Sequence, residues 1–210
     1  MFPLEKDWRV PSFSNAPLAL VVLALVGGAG LYWYRLQQQA AVWKNAKEIV
    51  EETFNKDGGV ATIRYVAIID GPIDKVQEAV WAVEKSSEMV ANIKKSELLK
   101  AEGNDKTVLM QLQALSLPLQ QYTMQFTLDP ATHRVKFKTL QAQAADLEGA
   151  YVLEGSPDGK RTKLIYEAKS TDKIAVPFPA SVIESANRET FVNTVRGINK
   201  QVGAPAPSAG

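Results

Sequence analysis

Pro177-Phe178-Pro179 stands directly before a long stretch with helical periodicity, and an amphipathic helix that begins this abruptly needs an apolar surface to lie against. Pro179 suits the first helical position, where its missing N–H is no loss, and Pro177 biases Val176 towards extended backbone. Downstream, Ile183, Ala186, Asn187, Thr190, Phe191, Thr194, Val195, Ile198 and Val202 recur at three- and four-residue steps. The face they form is mixed. Asn187, Thr190 and Thr194 interrupt it, while Glu184, Arg188, Glu189, Arg196 and Lys200 fall mostly on the opposite side. Such a face suits ordinary core packing or the wall of a cavity, and the rest of the chain must decide between them.

What precedes this helix reads as strands. "VATIRYVAIID" is rich in β-branched residues and closes at Gly71-Pro72. Val76, Val80 and Val83, then Met89, Val90 and Ile93 after a break near Lys85-Ser86, predict two short helices. "SELLKAE", "TVLMQLQALSLPL", "QYTMQFTLD", "RVKFKTLQAQA", "GAYVLEG" and "RTKLIYEAKS" follow as strands, separated by turns such as "GNDK", "PATH" and "SPDGK". Their alternation gives each strand two unlike faces. Tyr122, Met124, Phe126 and Leu128 oppose Gln121, Thr123, Gln125 and Thr127; Val135 and Phe137 oppose Lys136 and Lys138; Leu164, Tyr166 and Ala168 oppose Lys163 and Glu167. One face is wet and the other must be covered, so the late helix is its natural cover.

The start of the chain has a different character. Pro17 to Tyr34 carries no charge over about eighteen residues, long enough at ~1.5 Å per residue for a membrane crossing of about 27 Å. Tyr32, Trp33 and Tyr34 stand at one end and Trp8 and Phe13 flank the other, as interfacial aromatics do. The leader charges nearly cancel and no small-residue cleavage site follows, which argues for an uncleaved anchor rather than a signal peptide. Leu36 to Lys56 reads as a helical stalk with a stripe at Leu36, Ala40, Trp43, Val50 and Phe54, ended by Asp57-Gly58-Gly59. The expected organisation is a leader over 1–16, a transmembrane anchor over 17–35, a stalk over 36–59, a compact domain over 60–202 and a disordered tail over 203–210. The Ala24 and Gly28 spacing and the stalk stripe offer places for self-association or a protein partner. Charges flanking the run are balanced and do not orient it; a short leader before a Leu/Val-rich span reads as a signal anchor, which puts the domain on the periplasmic side of a bacterial inner membrane.

Composition excludes several functions. A net charge of +1 on 210 residues gives no basic face for nucleic acid. With no Cys and a single His, His133 in a turn, there is no thiolate nucleophile, no zinc-cysteine or iron–sulfur site and no multi-histidine metal site, and no cofactor is expected.

The element order, together with Gly149 before a strand, Gly159 with Thr162 in a hairpin, Tyr166, and Pro177 with Pro179 at the entry to the closing helix, resembles the START-like or helix-grip superfamily, in its polyketide cyclase and coenzyme Q-binding branch. The resemblance covers about 60–202. It implies an α+β fold: a curved antiparallel sheet of about six to seven strands wrapped on a long C-terminal helix, here behind a transmembrane helix and a helical stalk. It also implies a hydrophobic cavity between sheet and helix for lipids, sterols, quinones or polyketides. With the alternation pattern, it nominates as lining Met110, Leu112, Tyr122, Met124, Phe126, Phe137 and Tyr166 from the strands. The helix would contribute Ile183, Asn187, Thr190, Phe191, Thr194 and Val195. The expected function is a membrane-tethered carrier or presenter of an apolar ligand, not an enzyme. Two alternatives stand beside it. One is a cyclase or aromatase using acid–base groups among Tyr122, Tyr166, Asn187, Arg188, Glu148 and Glu154, none of them at a diagnostic spacing. The other is a ligand-free scaffold subunit in a membrane complex.

Overall fold

The β-branched, alternating segments form a single antiparallel sheet of eight strands in the order β1-β2-β8-β7-β6-β5-β4-β3. The structure, a computed structural model, describes Trp43 and residues 48–203, apart from 116 and 176. Strand β1 is Glu51–Asp57, β2 Val60–Ile69, β3 Ile93–Glu102, β4 Asp105–Leu112, β5 Gln120–Asp129, β6 Arg134–Ala142, β7 Ala145–Gly155 and β8 Thr162–Asp172. Between β2 and β3 lie helix α1 (Ile73–Trp81), a tight 3-10 turn at Val83–Lys85, and helix α2 (Ser86–Met89). The chain closes with α3, Ala180–Val202, whose first turn follows Pro179 and which ends on Gly203 in the left-handed conformation.

The sheet has eight strands rather than six to seven, and residues 51–57 are not the end of a stalk helix. Asp57-Gly58-Gly59 turns a hairpin instead of capping a helix, with Gly58 at φ +54°, and β1 pairs with β2 from Glu51↔Val66 to Asp57↔Val60. Phe54, assigned to the stalk stripe, packs from β1 onto the core, and Lys56 reaches across to Asp172 at 2.6 Å. The sheet therefore begins at Glu51. The apolar run at 17–34, the stripe positions Leu36 and Ala40 and the tail at 204–210 lie outside the described residues, among which no helix is long and apolar enough to cross a membrane.

β1 covers an edge that would otherwise be hazardous. β2 is a run of Val, Ile, Ala and Tyr whose unpaired N–H and C=O groups would template association if bare. A 60–203 fragment is therefore expected to melt at a lower temperature than a 48–203 fragment and to aggregate on concentration. Equal melting temperatures and equal solubility would show that β1 adds nothing to the fold.

The concave face holds the core. Ile63, Tyr65, Ala67 and Ile69 of β2 pack with Leu164 and Ala168 of β8, Val135 and Phe137 of β6, and Phe191, Val195 and Ile198 of α3. Helices α1 and α2 both pack on α3. At Gly197, a Cβ would stand 2.4 Å from the Met89 backbone oxygen, so the missing side chain is what lets α3 and α2 approach. Burial along α3 is uneven. Phe191, Val192, Val195, Gly197, Ile198 and Asn199 are buried, whereas Ala180, Ser181, Glu184 and Ser185 are exposed and Ala186 is the first buried residue.

The sheet also opens at one end. β6 and β7 pair only from Arg134↔Val152 to Lys138↔Glu148. Beyond that point Thr139 replaces the ladder, its Oγ1 accepting from Leu147 N at 2.9 Å and donating to Leu147 O at 3.2 Å. A register shift between Thr123 and Met124 of β5, which leaves Leu140 of β6 without a partner, interrupts the β5–β6 ladder in the same region.

Candidate functional site

Curvature of the sheet under α3 leaves a cavity of about 550 Å³. The strand residues nominated from sequence, Met110, Leu112, Tyr122, Met124, Phe126, Phe137 and Tyr166, all line it, as do Ile183, Asn187, Thr190 and Thr194 of α3. Phe191 and Val195 do not. At 3.6 residues per turn they sit about 80° and 120° round the helix from Ile183. They therefore face β2 and the packed core: the Phe191 ring lies 5.3 Å from that of Tyr65, and Val195 is fully buried.

Other lining residues were not nominated. Tyr151 and Leu147 come from β7, Val80, Val83, Met89 and Val90 from the helical segments, and Leu117, Pro118 and Leu119 from the β4–β5 connection. The inward parity of Leu147, Gly149, Tyr151 and Leu153 was the available clue for Tyr151; the connection has no periodicity to read. Leu119 and Ile174 line the cavity yet are 50% and 57% exposed, so they mark its mouth. The connection is tied to the helix at this point, where Leu115 N donates to Glu189 Oε2 at 2.9 Å.

The two walls differ in polarity. On the helix side, each polar side chain donates to the helix's own backbone: Asn187 Nδ2, with one of its two protons, to Ile183 O, Thr190 Oγ1 to Ala186 O and Thr194 Oγ1 to Thr190 O, all at 2.8 Å. Thr190 also accepts from Asn92 Nδ2 at 2.7 Å. The sequence-level polarity of this face is thus largely satisfied internally. The sheet side is aromatic. Phe137 stacks on Tyr166 with ring centres 5.6 Å apart, and Tyr151 lies 5.2 Å from Tyr166.

No Lys, Arg, His or Glu lines the cavity among the described residues; Asp172 is its one carboxylate, and that is paired with Lys56. Burial pushes the Tyr151 hydroxyl up to about 12, and it pushes Tyr166 well above the usual phenol range, helped by the neighbouring phenols of Tyr151, Tyr65 and Tyr122. Burial raises Tyr122 as well. The three phenols are therefore neutral across physiological pH. Of the acid–base candidates read from sequence, Arg188, Glu148 and Glu154 lie away from the cavity, paired with Glu52, Lys169 and Lys163 respectively. His133 is also outside it, in a turn at φ +48° with Nδ1 2.6 Å from Gln77 Oε1.

No protein-family model and no curated protein matches the sequence. Solved structures do match the shape. The Zhui aromatase/cyclase of Streptomyces sp. R1128 superposes with a TM-score of 0.54 at 19% identity, over 69% of this chain and 92% of that one. A START superfamily protein of Mycobacterium smegmatis gives 0.56 at 11% identity, over 68% and 97%. A STAR-related lipid transfer protein fragment of Xanthomonas axonopodis gives 0.54 at 14% identity, over 72% and 98%. The fold is START-like. At these identities the likeness concerns fold alone and carries no chemistry over to this chain.

Proposed function

We propose that this START-like domain binds an apolar small molecule, of the lipid or isoprenoid-quinone kind, and carries or presents it rather than transforming it. The observation that carries the reading is the cavity itself: about 550 Å³ between sheet and helix, walled by aliphatic and aromatic side chains and without an unpaired ionised group among the described residues. Cyclisation or hydrolysis would need a positioned base. The lining offers neutral phenols and one paired carboxylate, which favours binding over an aromatase-like reaction despite the shared fold. The uncharged run at 17–34 would serve as a tether, holding the cavity at high effective concentration beside a bilayer in which such a ligand dissolves.

Thr194→Trp tests this. Its side chain would enter the cavity, so folding is expected to survive while binding of a fluorescent fatty-acyl or quinone probe falls about tenfold or more, a loss of about 1.4 kcal/mol. In a solid core the same enlargement would instead cost about 1–3 kcal/mol of stability. Native mass spectrometry of the gently extracted full chain gives the second readout. A stoichiometric apolar adduct supports carriage; a consistently empty protein that binds no probe and holds a fixed partner supports the scaffold reading.

A further inference from the structure

We infer that the cavity selects a neutral ligand whose inner end carries a carbonyl-type hydrogen-bond acceptor, held by the phenol hydroxyls of Tyr151 and Tyr166, with an apolar remainder directed to the mouth. The inference rests on the binding function proposed above and adds the polarity and direction of the ligand.

Position comes first. β7 and β8 run to the open end of the sheet at Ala145 and Asp172, which pair with each other. Tyr151 and Tyr166 each lie six residues inward from those positions and are themselves paired. At about 3.3 Å per residue this places them roughly 20 Å along the strands from the mouth. Tyr122 is nearer to it, two residues from the start of β5.

Hydrogen bonding supplies the second step. Among the described residues no side chain hydrogen-bonds the hydroxyls of Tyr122, Tyr151 and Tyr166, which line the cavity and, unlike the Tyr65 hydroxyl, are not sealed orphan groups. A hydroxyl facing an apolar space without a partner costs about 1–3 kcal/mol, so a ligand that displaces water from these phenols binds best if it returns an acceptor. The opposite wall competes weakly as a donor, because Thr190 and Thr194 each commit their only proton to a helix carbonyl and Asn187 commits one of its two amide protons in the same way. The paired phenols of Tyr151 and Tyr166 are therefore the one place where two adjacent strands of the sheet present hydroxyls side by side to the cavity.

Charge closes the argument. A carboxylate or phosphate head would find no cation in the lining, and an ammonium head would find only Asp172, near the mouth and already engaged with Lys56. Burying an unpaired ion is far more costly than burying a carbonyl that receives two hydrogen bonds.

Three naphthalene probes of similar size separate the possibilities: acetylnaphthalene, isopropylnaphthalene and naphthoate, titrated into the full chain and into Tyr151→Phe, Tyr166→Phe and the double variant. The wild type should bind the ketone about tenfold more tightly than the hydrocarbon, the effect of one or two neutral hydrogen bonds. Naphthoate should bind more weakly than the ketone. The double variant should lose the ketone preference while keeping its hydrocarbon affinity, and the ketone's carbonyl infrared band should sit lower in the wild type than in the variant. The hydroxyls bond to no described protein group, so the Phe variants should fold, and unchanged hydrocarbon binding verifies that. Equal binding of ketone and hydrocarbon by the wild type, or naphthoate binding as tightly as the ketone, would overturn the inference and leave the carrier reading standing. Failure of the wild type to bind any of the three would overturn both.

Discussion

Gly149→Ala is expected to cost about 3 kcal/mol or more, at or above the upper end of overpacking penalties and a large share of a typical domain's 5–15 kcal/mol. Gly149 sits in β7 between Phe137 of β6 and Ala168 of β8. A Cβ there would stand 2.1 Å from the Glu167 backbone oxygen and 2.8 Å from both Ala168 Cα and the tip of the Phe137 ring. The ring could yield, but the neighbouring strand's backbone cannot move without breaking its ladder. Gly59→Ala is the control, since its new Cβ would meet nothing nearer than Asp172 Cβ at 3.7 Å. Urea denaturation of the two variants should separate widely; equal midpoints would mean that the sheet relaxes around residue 149 at little cost.

Alkaline pH is the other strong perturbation. Tyr65 and Tyr151 are both raised to about 12, chiefly by burial, and Tyr166 is raised well above its ordinary value for the same reason. A phenol whose folded-state pKa exceeds its unfolded value near 10 favours the folded state fully below pH 10. That advantage disappears as pH rises through the folded value, because the unfolded chain ionises first. At pH 11 each such group removes on the order of 1 kcal/mol, so stability should be lower than at pH 8 by a few kcal/mol. Urea midpoints at the two pH values measure the loss. Substitution of Phe at 65, 151 and 166 should remove most of the difference, and an undiminished loss in that triple variant would assign alkaline sensitivity to other groups.

The strand row Tyr122, Met124 and Phe126 was legible because an antiparallel strand with one covered face writes its register directly into period-two alternation. The closing helix was legible from its prolines and its three-four spacing. β1 was not. Glu51–Asp57 is an edge strand with both flanks largely wet, so only Phe54 carries an apolar mark, and one apolar residue fits a helix as well as a strand. The following Asp-Gly-Gly serves equally as a helix stop or a hairpin turn. At the cavity, periodicity located the face of α3 but not the boundary on it between empty space and solid core. That boundary depends on how far the sheet bends away beneath the helix, a tertiary property, which is why Thr190 meets the cavity while Phe191 beside it meets Tyr65. The helix-side polar residues fitted a core face or a cavity wall equally in the sequence, and the structure shows Thr190, Thr194 and one Asn187 proton donating to backbone carbonyls that only a formed helix presents.

The uneven burial of α3 gives the molecule a preferred way to breathe. Past Phe191 the helix is clamped by buried side chains and by the backbone contact at Gly197, whereas its first turns rest on partly exposed residues beside the mouth. Local opening costs least where few apolar contacts must be broken, so hydrogen exchange is expected to be faster in the turns after Pro179 than in the C-terminal half of the helix. Access to the cavity would then need only these two turns to open, with the sheet and the aromatic floor left undisturbed.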